Sequence, residues 1–380
     1  MDGIAPFHVM ELVARAQQLE AQGRDIVHME VGEPDFPTPA AVVEAGRVAL
    51  AEGRTRYTPA LGIPELRSAI SGHYRDYYGV DVPAERIAIT PGASGALQLA
   101  LGVLLDPGQK VLMADPGYPC NRHFVRFCDG EAVTVPVGPE SDYQLTSDHL
   151  VAHWDATTRA AMVATPANPT GMLLDREQLL ALCDATRERG GALIVDEIYH
   201  GLVYGEEEVT AATLADNTIV INSFSKYFGM TGWRLGWMVV PPSLLRAVER
   251  LAQNIYLAPS TPAQYAALAA FRPEVLAELE GRRAEYARRR DLLLPALREL
   301  GFDIPVTPAG AFYLYADSRR FGSDSQQLAR AFLEEAGVAV TPGIDFGDHR
   351  SADHLRFAYT TSLERLEEGV GRIARLLGRG

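Results

Sequence analysis

Residues Asn222–Trp237 read NSFSKYFGMTGWRLGW. They overlap the apolar run TIVIN (218–222), whose unbroken row of β-branched residues suits a strand buried on both faces. Just past its end stands Lys226, between hydroxyls and aromatics, with Arg234 eight residues later and glycines at 229, 232 and 236. Most lysines keep their ammonium in bulk water. A lysine at a strand end has another use, because ligands of open α/β sheets bind outside the carboxyl ends of the strands. Whether this stretch is surface or cleft therefore depends on what surrounds it.

The same strand-then-helix pattern recurs upstream. RIAIT (86–90) precedes PGASGALQLALGVLL (91–105), and KVLMAD (110–115) precedes PGYPCNRHFVRFC (116–128). AAMVATP (160–166), GALIVDE (191–197), NTIVIN (217–222) and RLGWMVV (234–240) follow. Short β-rich runs separated by amphipathic helices predict an α/β fold with a mainly parallel central sheet flanked by helices. After Pro273 the character changes. A long helical pattern gives way to FDIPVTPAGAFYLYAD (302–317) and HLRFAYT (354–360), which predict a smaller α+β domain. The alternation from Gly310 to Tyr315 suits a sheet strand. The expected division is an N-terminal segment, 1–40, packing with the small domain; a large domain, 41–273; and a small domain, 274–380.

Composition narrows the function. The chain has 380 residues, 47% of them hydrophobic, which is enough for a large core in two domains. A net charge of −14 argues against nucleic acid or anionic membrane as a partner. The basic cluster RRAEYARRR (282–290) reads as the solvated face of a long helix. Three cysteines, Cys120, Cys128 and Cys183, without CxxC spacing argue against a disulfide framework or zinc site. His149 and His153 have helical metal spacing but no third ligand, and are read as surface histidines; no metal is expected. Neither a signal peptide nor an apolar membrane span is apparent, so the cytoplasm is the expected location.

The segments that follow predicted strands, PGAS, DPGYP, TPANPTG, DEIY and SFSK, gather at one cleft. PGAS opens a helix whose free N–H groups make an anion site. Lys226, desolvated among cations, can trap a carbonyl as an imine. Arg234, Ser223 and Ser225 are donors suited to a phosphate, and Asp196 is a carboxylate suited to a buried cation. An amine, a phosphate cup and a carboxylate together fit pyridoxal 5'-phosphate. No GxxxxGK[ST] run supports a nucleotide site instead.

The chain resembles the fold-type I pyridoxal-phosphate aminotransferases of class I/II, in the aspartate-aminotransferase-like branch. The motifs that carry this are VGEPDFPTP (31–39), YTPALGIPELR (57–67), TPGASGALQ (90–98), DPGYP (115–119), NPTG (168–171), DEIY (196–199), SFSKYFGMTGWRLGW (223–237), PAGAFY (308–313) and LRFAYT (355–360). The resemblance implies that Lys226 is the catalytic residue joined to the cofactor and moves the substrate's Cα proton. It implies that Asp196 holds the ring nitrogen, and that Tyr199 and Asn168 hydrogen-bond the ring oxygen. Ser223 and Arg234 would bind the phosphate, with Ser225 as a weaker candidate and donors from Ala93 and Ser94. Tyr118 would stack on the ring. Tyr57 would reach the phosphate of a neighbouring subunit, implying a homodimer. Arg356 would clamp the α-carboxylate, helped by Asn168 and the backbone at Gly32. Ser94 stands where some aspartate-preferring relatives carry lysine, so the donor and the 2-oxo acid stay open. Phe7 and Gly32 would shape the side-chain pocket. The implied activity is two-step (ping-pong) transamination between an L-amino acid and a 2-oxo acid. A pyridoxal-phosphate C–S β-lyase on the same fold is the alternative. A ligand-sensing regulator is disfavoured by the acidic balance and by motifs that begin at Val31.

Overall fold

The structure, a computed structural model, describes residues 8–378. Eleven strands are present among them: β1 (Val27–Met29), β2 (Ile87–Thr90), β3 (Lys110–Asp115), β4 (Glu131–Pro136), β5 (Thr158–Ala164), β6 (Ala192–Asp196), β7 (Thr218–Ser223), β8 (Gly236–Val239), β9 (Tyr313–Asp317), β10 (Val338–Pro342) and β11 (His354–Ala358). The helices are α1 (His8–Ala21), α2 (Ala40–Ala51), α3 (Pro64–Tyr78), α4 (Gly92–Leu104), α5 (Pro119–Phe127), α6 (Ser147–His153), α7 (Arg176–Glu188), α8 (Pro242–Ile255), α9 (Thr261–Leu268), α10 (Pro273–Leu300), α11 (Ser325–Ala331) and α12 (Leu363–Leu376).

A seven-stranded sheet has the order β2-β8-β7-β6-β5-β3-β4. The pairs β7–β6, β6–β5, β5–β3 and β3–β4 are parallel, as the crossover pattern predicts. Only β8 runs against its neighbours, in register Ser223↔Gly236 and Asn222↔Trp237 with β7. The reversal has a local cause. The chain turns back around Lys226 through residues 224–235, which form turns and one short 3-10 helix, Thr231–Trp233, in place of the α-helical crossover that a parallel return uses. Central β6 and β7 are buried at every position, which explains why ALIVD and TIVIN lack polar alternation. Each fully buried Val, Ile or Leu there contributes roughly 1.5–3 kcal/mol.

The second sheet has the order β1-β10-β11-β9, so residues 27–29 pair with strands from the far end of the chain. β1 is parallel to β10, with His28 opposite Ala339. β11 is antiparallel to both β10 and β9, with Arg356 opposite Thr341 and Tyr315. β9 is buried at all five positions, so its alternation does not separate core from solvent. Tyr315 meets Tyr143 edge-on while α10 also packs on the strand. α10 runs for 28 residues and carries the Arg282–Arg290 cluster. Most of those guanidiniums are spent within the molecule, for example Arg289 on Asp35 at 2.8 Å and Arg290 on the Pro308 carbonyl at 2.9 Å. His149 is no free surface group either: its ring accepts the Thr146 N–H and completes a capping box on α6. No group of His, Cys, Asp and Glu among the described residues is arranged to hold a metal ion, and no helix there is long and apolar enough to cross a membrane.

Candidate active site

The carboxyl ends of β6 and β7, the first turn of α4 and the second sheet enclose a cavity of about 230 Å³. Lys226, Asp196, Tyr199, Asn168, Tyr118, Ala93, Ser94, Ser225, Arg234, Gly32 and Arg356 all line it. Residues spread over more than three hundred positions thus meet because strand ends converge.

Lys226 follows β7 and stays partly accessible from the cavity. Its Nζ donates to the Gly32 carbonyl at 2.6 Å. Burial pushes the ammonium down to about 8; Glu33 opposes this, and Arg356 and Arg234 reinforce it. A sizeable fraction of neutral, nucleophilic amine is therefore present near neutral pH. Gly32 is required by packing. A methyl group there would meet the Tyr313 hydroxyl at 1.8 Å, so backbone and phenol fill the space together.

Asp196 ends β6, and its Oδ1 accepts the Ile198 N–H at 3.1 Å. Burial raises its carboxyl to about 6, partly offset by that N–H and by Lys226. Such a carboxylate lacks a cation of its own and favours a positively charged partner.

α4 begins at Gly92, and no side chain caps its first turn. Its leading N–H groups are left for a ligand. Arg234 projects to the same place, its Nη1 donating to the Thr231 carbonyl at 2.9 Å. A Cβ at Gly92 would lie 2.7 Å from Arg234 Nη2, and Gly92 has φ +69°, so only glycine serves both the turn and the approach. Ser225 reaches the wall, and Thr231, also in the wall, bonds the Ser225 carbonyl at 2.9 Å. The helix terminus, hydroxyls and guanidinium form an anion cradle.

Arg356 enters from β11 and is buried. Its Nη1 donates to Asn168 Oδ1 at 2.9 Å, and its Nη2 donates to the Glu30 carbonyl at 2.5 Å and Thr341 Oγ1 at 3.2 Å. The guanidinium lies 4.3 Å from the Tyr313 ring centroid and 4.9 Å from that of Phe346, and its Nε has no partner. Two rings and three acceptors fix the fork while leaving a donor to spend.

Ser223, expected with Arg234 at the phosphate, does not line the cavity: its Oγ lies 2.9 Å from Ser225 Oγ and 3.2 Å from the Leu235 carbonyl, and it accepts the Ser225 N–H at 3.1 Å. It supports Ser225 from behind because β7 ends at Ser223, inside the sheet. Tyr199 and Asn168 line the cavity, yet each has a partner of its own: Tyr199 Oη sits 2.7 Å from Tyr313 Oη, and Asn168 meets Arg356. Tyr57 is not brought to the cavity and is 83% exposed. Phe7 lies outside the described residues. Tyr313 went unassigned in the sequence because an aromatic in an alternating strand reads as core. The other wall residues without an expected role, Val9, Met10, Glu30, Val31, Leu97 and Ile198, carry no chemical signal in sequence.

A buried amine, an anion cradle, an acceptor for a cation and a carboxylate fork define a site built for a phosphorylated carbonyl compound and an acid substrate. The family model for aminotransferase class I and II matches residues 24–373, and the chain belongs to that family. It is 42% identical to the valine–pyruvate aminotransferase of Mycobacterium tuberculosis, over 98% of this chain and 96% of that one. It is 37% identical to the aspartate/prephenate aminotransferase of Thermus thermophilus, over 100% and 98%. A crystal structure of an aminotransferase from Mycobacterium tuberculosis superposes with a TM-score of 0.97 at 40% identity, covering 100% of this chain and 98% of that one. The Thermus thermophilus aspartate aminotransferase with maleate gives 0.93 at 37%, covering 99% and 98%. The protein is an aminotransferase.

Proposed function

We propose that the protein uses pyridoxal 5'-phosphate to move an amino group between an L-amino acid and a 2-oxo acid in two alternating half-reactions. The observation that carries this is the Lys226 amine, lowered to about 8, in one cavity with the Asp196 carboxylate and the cradle at Gly92 and Arg234. The residues present fit this cofactor, which the class I and II family is known to use. When bound it supplies an electron sink that makes the substrate's Cα–H acidic.

In this reading Lys226 would hold the cofactor through its aldehyde and would serve as the general base for the substrate's Cα proton. Asp196 would pair with the ring nitrogen, and Tyr118 would stack on the ring. Ser225, Arg234 and the N–H groups at Ala93 and Ser94 hold the phosphate, with Ser223 behind them. Tyr199 and Asn168, both in the cavity wall, would hydrogen-bond the ring oxygen. Arg356 takes the α-carboxylate, and the Asn168 amide and Gly32 backbone complete that end. The remaining described wall is mostly apolar, with Val9, Met10, Val31, Leu97 and Ala164 beside Glu30, Thr231 and Tyr313, and the apolar share supports a donor with an uncharged side chain. Tyr57 serves the site of a second subunit in a homodimer, and its exposure suits that use. We keep the division at residues 40 and 273, because β1 pairs with the C-terminal strands, and place the protein in the cytoplasm on its sequence.

The test is chemical. Borohydride reduction of the yellow holoenzyme followed by peptide mapping is expected to place the cofactor on Lys226. Label on any other lysine overturns the assignment. Lys226→Ala is expected to bind cofactor and lose transamination by roughly three or more orders of magnitude, in keeping with loss of a positioned base and nucleophile together.

A further inference from the structure

Beneath α1 lies a chain of charges that the reaction as described does not use. Glu20, near the end of α1, accepts from His28 Nε2 at 3.1 Å. His28 Nδ1 lies 2.7 Å from Glu30 Oε1. Glu30 is fully buried, and its second carboxylate oxygen has no partner. The main chain of the same residue carries the carbonyl that Arg356 Nη2 and Thr341 Oγ1 both bond, at 2.5 and 2.8 Å. Two residues on, the Gly32 carbonyl takes the Lys226 amine. Five residues, 28–32, therefore join a surface histidine to both ends of the chemistry.

We propose that His28 is a positioning residue for transamination: as a cation it holds the buried Glu30 carboxylate, and thereby sets the Glu30 carbonyl that aims Arg356 at the substrate's carboxylate. The proposal rests on the reading of Arg356 as the α-carboxylate fork. The fully buried Glu30 carboxylate has one oxygen bonded to His28 and one without a partner, so loss of the His28 charge weakens its anchoring contact. His28 is the one cation bonded to it among the described residues. Neutral His28 weakens the hold on the Glu30 side chain, and the Glu30 main chain cannot move without taking an acceptor from Arg356.

The groups that face His28 are few. α1 supplies Glu20 and its own strand supplies Glu30; β10 presents Ala339, which is apolar. α12 meets Val27 and Met29 through Gly369 and directs Arg365 and Arg372 to Asp25. Arg15 and Arg24 pair with Glu334. The hydrogen bond with Glu30 raises the imidazole to about 9 against its burial, with Glu20 adding to the rise. The folded pKa lies above the ordinary value, so the clamp is complete at neutral pH and is lost as pH rises through about 9.

The experiment uses holoenzyme and a 2-oxo acid, whose carboxylate does not titrate between pH 7 and 10. KM and kcat are measured across that range for wild type, His28→Gln, His28→Lys, Glu20→Gln and Arg356→Ala. Wild-type KM is expected to hold below pH 8.5 and to rise about tenfold by pH 10, following loss of the imidazolium. His28→Gln is expected to show about tenfold higher KM at pH 7 and no further limb near 9, with kcat changed far less. His28→Lys keeps the cation, and its KM at pH 7 stays within about threefold of wild type, its limb moved upward. Glu20→Gln, an exposed change that leaves the fold intact, moves the limb to lower pH. The proposal is overturned if His28→Gln has wild-type KM at pH 7, if it retains the limb, or if Glu20→Gln leaves the limb in place. If Arg356→Ala leaves KM unchanged, the reading of Arg356 itself fails; a raised KM in Arg356→Ala beside a normal one in His28→Gln isolates the failure to His28.

Discussion

Asp196 shows how far single residues determine the chemistry. Burial holds its carboxyl near 6, so pairing with a protonated ring nitrogen is available above that pH and is lost as pH falls through it. Cofactor affinity, followed by fluorescence titration of the apoprotein, is therefore expected to weaken about tenfold for each unit below pH 6. Asp196→Asn is expected to flatten that limb and to slow each half-reaction by two or more orders of magnitude while the fold persists. Near-normal half-reaction rates in Asp196→Asn would show that the carboxylate is not the ring partner. Lys226 and Asp196 stood out in sequence because a charge at or just past a strand end is conspicuous, whereas Arg356, in the middle of β11, stood out only through its LRFAYT motif. Tyr313 was not, since its hydroxyl finds Tyr199 only through the fold. Which of Ser223 and Ser225 reaches the cavity was not legible, for a related reason. Sequence places both beside the lysine, but the last residue of a strand and the residue two later differ in depth.

At the scale of elements, the parallel sheet was legible from its apolar runs, and the long α10 from its amphipathic pattern. The reversal of β8 was not, because four apolar residues carry no direction. α1 owes its place to a distant residue. The Asp345 carboxylate accepts the His8 and Val9 N–H groups at 2.9 Å each, capping the helix from 336 residues away. Val9 and Met10 then stand in the cavity wall. Asp345→Ala removes both acceptors and is expected to cost about 1 kcal/mol of stability, as helix caps do. It is also expected to speed amide exchange in the first turn of α1 and to lower kcat/KM several-fold for apolar donors. Unchanged exchange there would mean that water replaces the cap without loss.

For the whole molecule, the two sheets divide the labour. The larger supplies Asp196 and Lys226 at its strand ends, and the smaller supplies Arg356. The second sheet was only half legible, since nothing local tells that three residues near position 28 pair with strands three hundred residues on. Tyr57, Val43, Leu50 and Leu257 remain exposed on the described chain. With Tyr57 read as a residue for a second copy's site, the smallest active unit is expected to be a dimer by sedimentation. Mixing Lys226→Ala with Tyr57→Ala subunits, once each is shown to be inactive alone, is expected to restore one working site per heterodimer. A fully active monomer, or no recovery on mixing, would count against a shared site.

The hairpin of β7 and β8 has a consequence for how such a protein can change. Lys226 and Arg234 ride on one short connection whose two strands are locked in register. The spacing between the amine and the Arg234 guanidinium is thus inherited as a unit, whatever happens in α1. α1 is held instead by Asp345, through the His8 and Val9 N–H groups, on a different element from the hairpin. Selectivity for a donor can then drift through many sequences while the grip on the cofactor passes unaltered from one to the next.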